Sequence, residues 1–440
     1  MNDQIKTAYE RLKKVRENES LEIRNSTYLK DKIVMLDGRE IDFKLRYYQA
    51  QMVVHLLTMT RFVVGDDTGL GKTLEAIASL CYLWEQDPTK KVLIFTNKSV
   101  VAQWDSEFEK FTSGITTFQI KGTKKKREKL LKEFWEHKGS PVVGIMGYRS
   151  ACSDFAIMQD WTDFNIVFDE ATAFKTATTQ VHQVCRHLAG NADRAFGLTA
   201  TLIKNNLMEG WGIYRVIVPS LFTQQKATFI KQFCVTKMQR IKGNRKIPII
   251  VGYRKKDVAR FREMIDPYYL GRPKHSVAKE LPALTTKSLK VGMTPFQKRK
   301  YSEALSGILE LGTGEEKEVT KLTAIIYCQE IANHPCLIDC DGSSEKFDTL
   351  CEMLTDGGEF YNQKVIVYTR FRALVDECKP ILESKGVKCT RVTGSENEDQ
   401  RKAAQDEFQN LTSGTNVIWL TAAGGEAINL QAAKAIIFYD

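Results

Sequence analysis

Short apolar runs alternate along this chain with longer stretches in which apolar positions recur every third or fourth residue. The runs "RFVVG", "KVLIFT", "PVVGIMGY", "FNIVFDE" and "RAFGLTAT" are rich in β-branched and aromatic residues and are bounded by polar turns. That is the pattern of short buried strands. Amphipathic segments such as "TLEAIASLCYLW" lie between them. Buried strands separated by helical crossovers predict a parallel sheet with helices on both faces. Between residue 207 and about residue 320 the strands stop, and a basic, aromatic segment broken by Pro248, Pro267, Pro273 and Pro282 reads as helical. The alternation then resumes with "KVIVYT", "VKCTRVTG", "NVIWLT" and "AKAIIFYD". The fold class expected is α/β, with two tandem lobes on parallel sheets and a helical insertion between their cores.

The expected division has three parts. Residues 1–40 form a charged helical extension ending in a hairpin around "MLDGREIDF", with Asp37-Gly38 as its turn. Residues 41–280 form the first lobe with its protrusion, and residues 281–440 the second, the junction falling in the extended stretch "KELPALTTKS" at 279–288. A length of 440 residues suits two or three domains.

Composition narrows the class. No stretch reaches the ~18 apolar residues of a membrane span, and the charged start "MNDQIKTAYERLKK" lacks a signal-peptide core. A soluble, cytoplasmic or nuclear protein with no membrane partner is expected. The net charge is +10, with dense basic runs at residues 121–132, 237–246 and 253–262, which suits a polyanion. The ten cysteines are scattered. Cys336 and Cys340 lie close together, but no second pair with zinc spacing follows, so reduced and mostly buried thiols are expected.

The stretch "VVGDDTGLGKTLEAIASL" carries the clearest chemistry. Its glycines fall between a strand and a helix, where backbone N–H groups and the helix N-terminus point at one spot. Gly69 and Gly71 let the backbone curl around phosphates, with Asp67, Thr68 and Leu70 completing the loop. Lys72 would reach the β- and γ-phosphates and the Thr73 hydroxyl would hold Mg²⁺. The usual GxxxxGK[ST] pattern has a glycine where this chain has Asp66. About one hundred residues on, "NIVFDEATAFK" ends a strand on two carboxylates. Asp169 can bind hydrated Mg²⁺ and Glu170 can polarise an attacking water. ATP and Mg²⁺ are the cofactors expected.

These motifs resemble the Swi/Snf-type DNA translocases of helicase superfamily two. In that family the phosphate loop commonly reads DEMGLGKT, so Asp66 follows the family's habit. "LRYYQ" resembles the adenine-reading motif, which implies nucleotide contacts from Arg46 and Gln49. "LIFTNKSVVAQWDSEFEKF" resembles the strand-binding segment, and "DEATAFK" the DEAH box, with Thr172 for histidine. "LTATLIKNNLMEGW" resembles the coupling motif and the NN-x-x-E stretch after it, implying coupling roles for Thr199 and Thr201. "ANHPCL", "KVIVYTRFRALVD", "RVTGSENEDQRKAAQDEF" and "WLTAAGGEAINLQAAKAIIFYD" follow in the family's order, the last implying coupling roles for Gly424 and Asn429. Two departures stand in it, Ala422 for the family's arginine and Ala427 for a glycine. The basic stretch at residues 251–277 looks most like compact members that remodel forks or anneal strands.

The resemblance implies two RecA-like lobes hinged around one ATP and a sequence-independent grip on double-stranded DNA. Family position assigns phosphate contacts to Lys98 and Ser99, to Arg149, to Arg370, and to Arg391, Gly394 and Ser395. Tyr253, Tyr268 and Tyr269 could stack on bases, with core packing the preferred reading. The expected activity is a DNA-dependent ATPase that translocates on duplex DNA as a monomer, with a protein cargo on the DNA and a compact bacterial, phage or other minimal origin. The family's final arginine motif is expected beyond Asp440, and hydrolysis by these 440 residues is expected to be weak. The rival readings are a strand-separating DNA or RNA helicase, told apart by strand displacement, and a non-hydrolysing DNA-binding fragment, told apart by ATP turnover.

Overall fold

Each apolar run named above forms a strand. The computed structural model describes residues 3–35, 38–204, 206–240, 246–280, 284–422, 424, 428 and 430–440. The chain divides into two units, residues 1–33 with 40–282, and residues 34–39 with 283–440.

The first unit is built on a seven-stranded sheet in the order Tyr269–Leu270, Arg61–Val64, Arg194–Leu198, Phe164–Asp169, Lys91–Thr96, Val142–Gly147, Thr116–Ile120. Every neighbouring pair is parallel. Helices Lys72–Gln86 and Val101–Phe111 supply the buried Trp84 and Trp104 to a core that also holds Phe62, Phe95 and Phe168. Two strands escape the sequence pattern. Thr116–Ile120 is an edge strand, half-buried along most of its length, so its residues alternate instead of forming an apolar run. Tyr269–Leu270 is only two residues long.

The second unit carries four parallel strands, in the order Cys389–Val392, Val417–Leu420, Val365–Tyr368, Ala435–Phe438. The α/β class with two tandem lobes on parallel sheets therefore holds. Six cysteines, Cys81, Cys185, Cys234, Cys328, Cys351 and Cys378, are buried as free thiols, and the other four are half-buried.

The insertion is corrected. Residues 207–320 are not purely helical: Val235–Arg240 and Lys246–Gly252 pair as an antiparallel hairpin, and Ile308–Glu310 pairs with Glu316–Glu318. The first hairpin packs little of its surface, leaving Met238 57% and Val251 54% exposed. Its strands therefore need no apolar run, and lysines and arginines on them read as a charged face. Pro248 fits because a two-stranded ribbon has free edges.

The N-terminal helix Asp3–Arg16 packs into the first unit. Leu12 is buried in its core, and Arg16 donates to His55 Nε2 at 3.0 Å and to the carbonyls of Asp266 and Tyr269 at 3.2 and 3.0 Å. The expected hairpin forms from Lys32–Val34 and Glu40–Asp42, with Asp37 outside the described residues.

Candidate nucleotide site

Strand register assembles this site. Val64 and Asp169 both pair with Leu198, so three neighbouring strands end side by side at one edge of the sheet. The carboxyl edge of a parallel sheet is where such folds bind ligands. From Val64 the chain turns through residues 65–71 into helix Lys72–Gln86. Gly69 and Gly71 hold φ of +80° and +92°, a left-handed backbone that glycine adopts without strain. Thr68 and Gly69 face solvent, Asp67 and Thr73 are half-buried, and Leu70 is buried.

Lys72 opens the helix. Its ammonium donates to the carbonyls of Asp66 at 2.7 Å and Asp67 at 3.2 Å, inside the loop's curl. Burial pushes its pKa down, and the carboxylates of Glu75, Asp66, Glu170 and Asp169 act in the opposite direction. Gln49 braces the loop from the preceding helix Tyr47–Thr58: its amide donates to the Leu70 carbonyl at 3.1 Å and its carbonyl accepts from the Arg46 N–H at 3.0 Å. The Arg46 side chain pairs with Glu280.

Strand Phe164–Asp169 is buried until its last residue, so its apolar ladder delivers Asp169 to the edge. Asp169 Oδ2 accepts from Thr96 Oγ1 and from Trp104 Nε1, each at 2.8 Å. Burial raises its pKa, against these two hydrogen bonds. Glu170 follows at φ +52°, outside the strand geometry, and its carboxylate accepts from Thr172 Oγ1 at 2.5 Å and Thr199 Oγ1 at 3.3 Å. Thr199 ties the edge together, since its N–H also donates to the Val64 carbonyl at 2.9 Å, and the N–H of Thr201 donates to its hydroxyl at 3.1 Å. The structure thus brings Lys72, Asp169, Glu170 and Thr199 to one place. Glu209, the acid of the NN-x-x-E stretch, links Lys175 at 2.8 Å to the Lys204 N–H at 2.8 Å.

This set fits a nucleotide with a divalent cation. An ammonium and a glycine-curled loop face two carboxylates, one of them anchored through a single oxygen. Asp169 and Thr73 would hold Mg²⁺, which would neutralise phosphate charge.

Several contributors were not singled out in the sequence. Thr96 and Trp104 orient Asp169, although both stand in the quoted strand-binding segment. Arg272 lies in the basic stretch at residues 251–277, to which no nucleotide role was assigned. It follows strand Tyr269–Leu270 and pairs with Asp66, its Nε 3.1 Å from Oδ1 and its Nη2 2.5 Å from Oδ2. Its Nη1 donates to the Tyr48 carbonyl at 2.7 Å and to Gln51 at 3.0 Å. Burial and the neighbouring Asp66 push the Glu75 carboxyl well above the usual carboxylate range.

The residues assigned to DNA lie at strand ends. Lys98 and Ser99 follow strand Lys91–Thr96, and Arg149 follows the neighbouring strand Val142–Gly147; Thr96 pairs with Gly147. In the second unit Arg370 Nε pairs with Asp440 at 2.7 Å. Arg391 pairs with Asp376 and, at 3.3 Å, with Glu396. The Glu396 carboxylate also accepts from the N–H groups of Thr393 at 2.7 Å and Gly394 at 3.1 Å, and from Ser395 Oγ at 3.1 Å. Burial pushes its pKa up, but these hydrogen bonds prevail and hold it below the usual range. Gly424 follows strand Val417–Leu420, whereas Asn429 and Ala427 lie outside the described residues. Tyr268 is buried and Tyr269 half-buried in the first unit's core, and the Tyr253 hydroxyl accepts from the Leu207 N–H at 3.3 Å. Among the described residues no helix is long and apolar enough to cross a membrane.

The family profile of the SNF2-related domain matches residues 48–337, well over half of the chain, and that of the helicase conserved C-terminal domain matches residues 345–440. The mouse chromodomain-helicase-DNA-binding protein 1-like is 26% identical over 418 residues, spanning 90% of this chain and 44% of that protein. The nuclear protein STH1/NPS1 of Saccharomyces cerevisiae is 26% identical over 404 residues, 86% of this chain and 29% of that protein. An uncharacterized ATP-dependent helicase of Mycoplasma pneumoniae is 24% identical, over 90% of this chain and 37% of its own length. The chain thus spans less than half the length of these relatives. Among solved structures, the Sulfolobus solfataricus SWI2/SNF2 ATPase core in complex with dsDNA aligns at a TM-score of 0.44 and 22% identity, covering 90% of this chain and 82% of that one.

Proposed function

The chain belongs to the SNF2-related family of helicase-like ATPases, and from that premise we propose that it hydrolyses ATP·Mg²⁺ to move along double-stranded DNA without reading its sequence. One observation carries the reading: the shared register at Leu198 sets Lys72, Asp169 and Glu170 on one edge. Lys72 holds β- and γ-phosphate oxygens once it leaves the loop carbonyls. Asp169, fixed by Thr96 and Trp104, holds the cation with Thr73. Glu170 orients the attacking water, and Thr199 reports its state to the phosphate-loop strand. Arg46 and Gln49 meet the base side.

The DNA dependence rests on net charge +10 and on Lys98, Ser99 and Arg149 at adjoining strand ends, with Arg370, Arg391, Gly394 and Ser395 as second-unit contacts. We place the protein on chromosomal DNA, as a monomer that displaces protein cargo, with Gly424 and Asn429 coupling the two events. Slow turnover by these 440 residues is part of this proposal. Arginine stabilisation of γ-phosphoryl charge is worth about 10³–10⁵ in rate. The test is displacement of a third strand from a DNA triplex. ATP-dependent release without separation of the underlying duplex is expected; duplex unwinding, or no release, contradicts translocation.

A further inference from the structure

The aspartate in place of the phosphate-loop glycine has a partner, and that partner lies in the basic stretch at residues 251–277, outside the motifs assigned to the nucleotide. Strand Tyr269–Leu270 runs parallel to Arg61–Val64, and the pairing continues past both strand ends. The Gly65 N–H donates to the Leu270 carbonyl at 2.7 Å, and the Asp67 N–H to the Arg272 carbonyl at 3.1 Å. In return the Arg272 N–H donates to Asp66 Oδ1 at 3.0 Å, and the Lys274 N–H to Asp67 Oδ2 at 2.8 Å. Residues 65–67 and 270–274 therefore form one hydrogen-bonded ladder, closed by the Arg272–Asp66 ion pair. Asp66 is fully buried and the Arg272 side chain is 10% exposed.

The charges are arranged to point one way. Arg272 Nη2 lies between the two buried acids, 2.5 Å from Asp66 Oδ2 and 3.4 Å from Glu75 Oε1. The Asp66 carboxylate is turned back toward Arg272 while its carbonyl takes Lys72. An acid in a phosphate loop would otherwise repel the nucleotide. On the other side, Lys274 Nζ lies 3.0 Å from where a Cβ on Gly69 would sit, against the solvent-facing side of the loop.

We propose that residues 271–274 clamp the phosphate loop: Arg272 is a positioning residue that acts through Asp66, and Lys274 is a further phosphate-binding residue that presents a second ammonium beside Gly69. The proposal rests on the nucleotide reading of this loop. It gives Asp66 a role that glycine cannot fill. A glycine leaves the loop curled but unanchored, whereas an aspartate ties it to Arg272, just past strand Tyr269–Leu270.

Calorimetric titration of ATP·Mg²⁺ into the full chain, with thermal melting of each variant, tests it. The parent binds and Lys72→Ala does not. Arg272→Gln leaves the buried Asp66 without its guanidinium partner, lowers the melting temperature and weakens ATP binding on the order of tenfold. The double variant Asp66→Asn/Arg272→Gln removes both charges. It regains most of the melting temperature but stays about tenfold weaker for ATP, which a purely structural pair would not do. Lys274→Ala melts like the parent and binds ATP roughly threefold to tenfold more weakly, a loss expected of one exposed phosphate contact. Parental affinity in the double variant overturns the positioning role, and parental affinity in Lys274→Ala overturns the phosphate contact. If the parent and Lys72→Ala bind alike, the nucleotide reading itself fails, and the clamp with it.

Discussion

Two loops in this protein solve the same electrostatic problem in opposite ways. Each follows a strand of a parallel sheet and gathers backbone N–H groups, and each carries an acid. In the first unit the acid is Asp66, buried behind the phosphate loop and bound by Arg272. In the second it is Glu396, wrapped by the N–H groups of Thr393 and Gly394 and by Arg391. The first loop turns its acid away from the face that would receive an anion. The second uses its acid as the anion. A loop's glycines and donors thus do not by themselves say what it binds; the position of the nearest carboxylate decides whether those donors are available.

The comparison can be broken at several points. The largest effect is expected at Glu170. Glu170→Gln keeps hydrogen-bonding capacity but cannot accept charge, so single-turnover hydrolysis should fall about 10²–10⁴-fold while ATP affinity holds within about threefold. Next is Lys72→Ala, for which steady-state turnover should fall about 10²–10³-fold, with affinity lost as well. If affinity survives that change, the first loop is not the phosphate site and its contrast with the second collapses.

Acid should act on the first loop's surroundings and spare the second. His55 is buried and neutral, accepting from Arg16 and contacting the Gln51 carbonyl at 2.7 Å, and burial brings its pKa down to about 3. The unfolded chain protonates the same residue near pH 6.5. Below that pH the unfolded state binds the extra proton, so stability falls as pH falls, by about 1.4 kcal/mol per unit. Urea denaturation should show a loss of about 2 kcal/mol between pH 6.5 and 5, reduced in His55→Gln. Glu396, held below the usual carboxylate range, keeps its charge over that interval. The smallest effect is at Glu396 itself. Glu396→Gln removes the charge that holds the loop N–H groups and one of the two carboxylates on Arg391, so duplex DNA affinity at low salt should rise several-fold, with log affinity steepening against log salt by about 0.9 per added phosphate contact. Unchanged affinity and slope would mean that the second loop does not meet DNA.

Much of this was legible in the sequence, for a definable reason. The first unit's five runs are buried along nearly their whole length and three of the second unit's four alternate in burial, yet all nine form strands, and the residues ending three of them, Val64, Asp169 and Leu198, fall where the chemistry is. Lys72, Thr73, Asp169 and Glu170 were readable because phosphate and cation chemistry demands those types at a strand-to-helix turn. What stayed hidden has weak local pattern. Arg272 acts on Asp66 across about two hundred residues of chain, and the strand before it is too short to show a period. The strand Val235–Arg240 is exposed on both sides, so nothing in its composition marks it as strand. Thr96 and Trp104 are ordinary core residues by pattern, and only the fold shows that both meet Asp169 Oδ2.

The central claim is that the edge formed by Lys72, Asp169 and Glu170 is an ATPase coupled to duplex DNA. ATP turnover by the full chain, measured with and without a mixed-sequence duplex and repeated with Glu170→Gln, tests it most directly. The account predicts turnover that rises several-fold on adding duplex of any sequence and vanishes in Glu170→Gln. Turnover that ignores DNA, or that survives in Glu170→Gln at the parental rate, would contradict it.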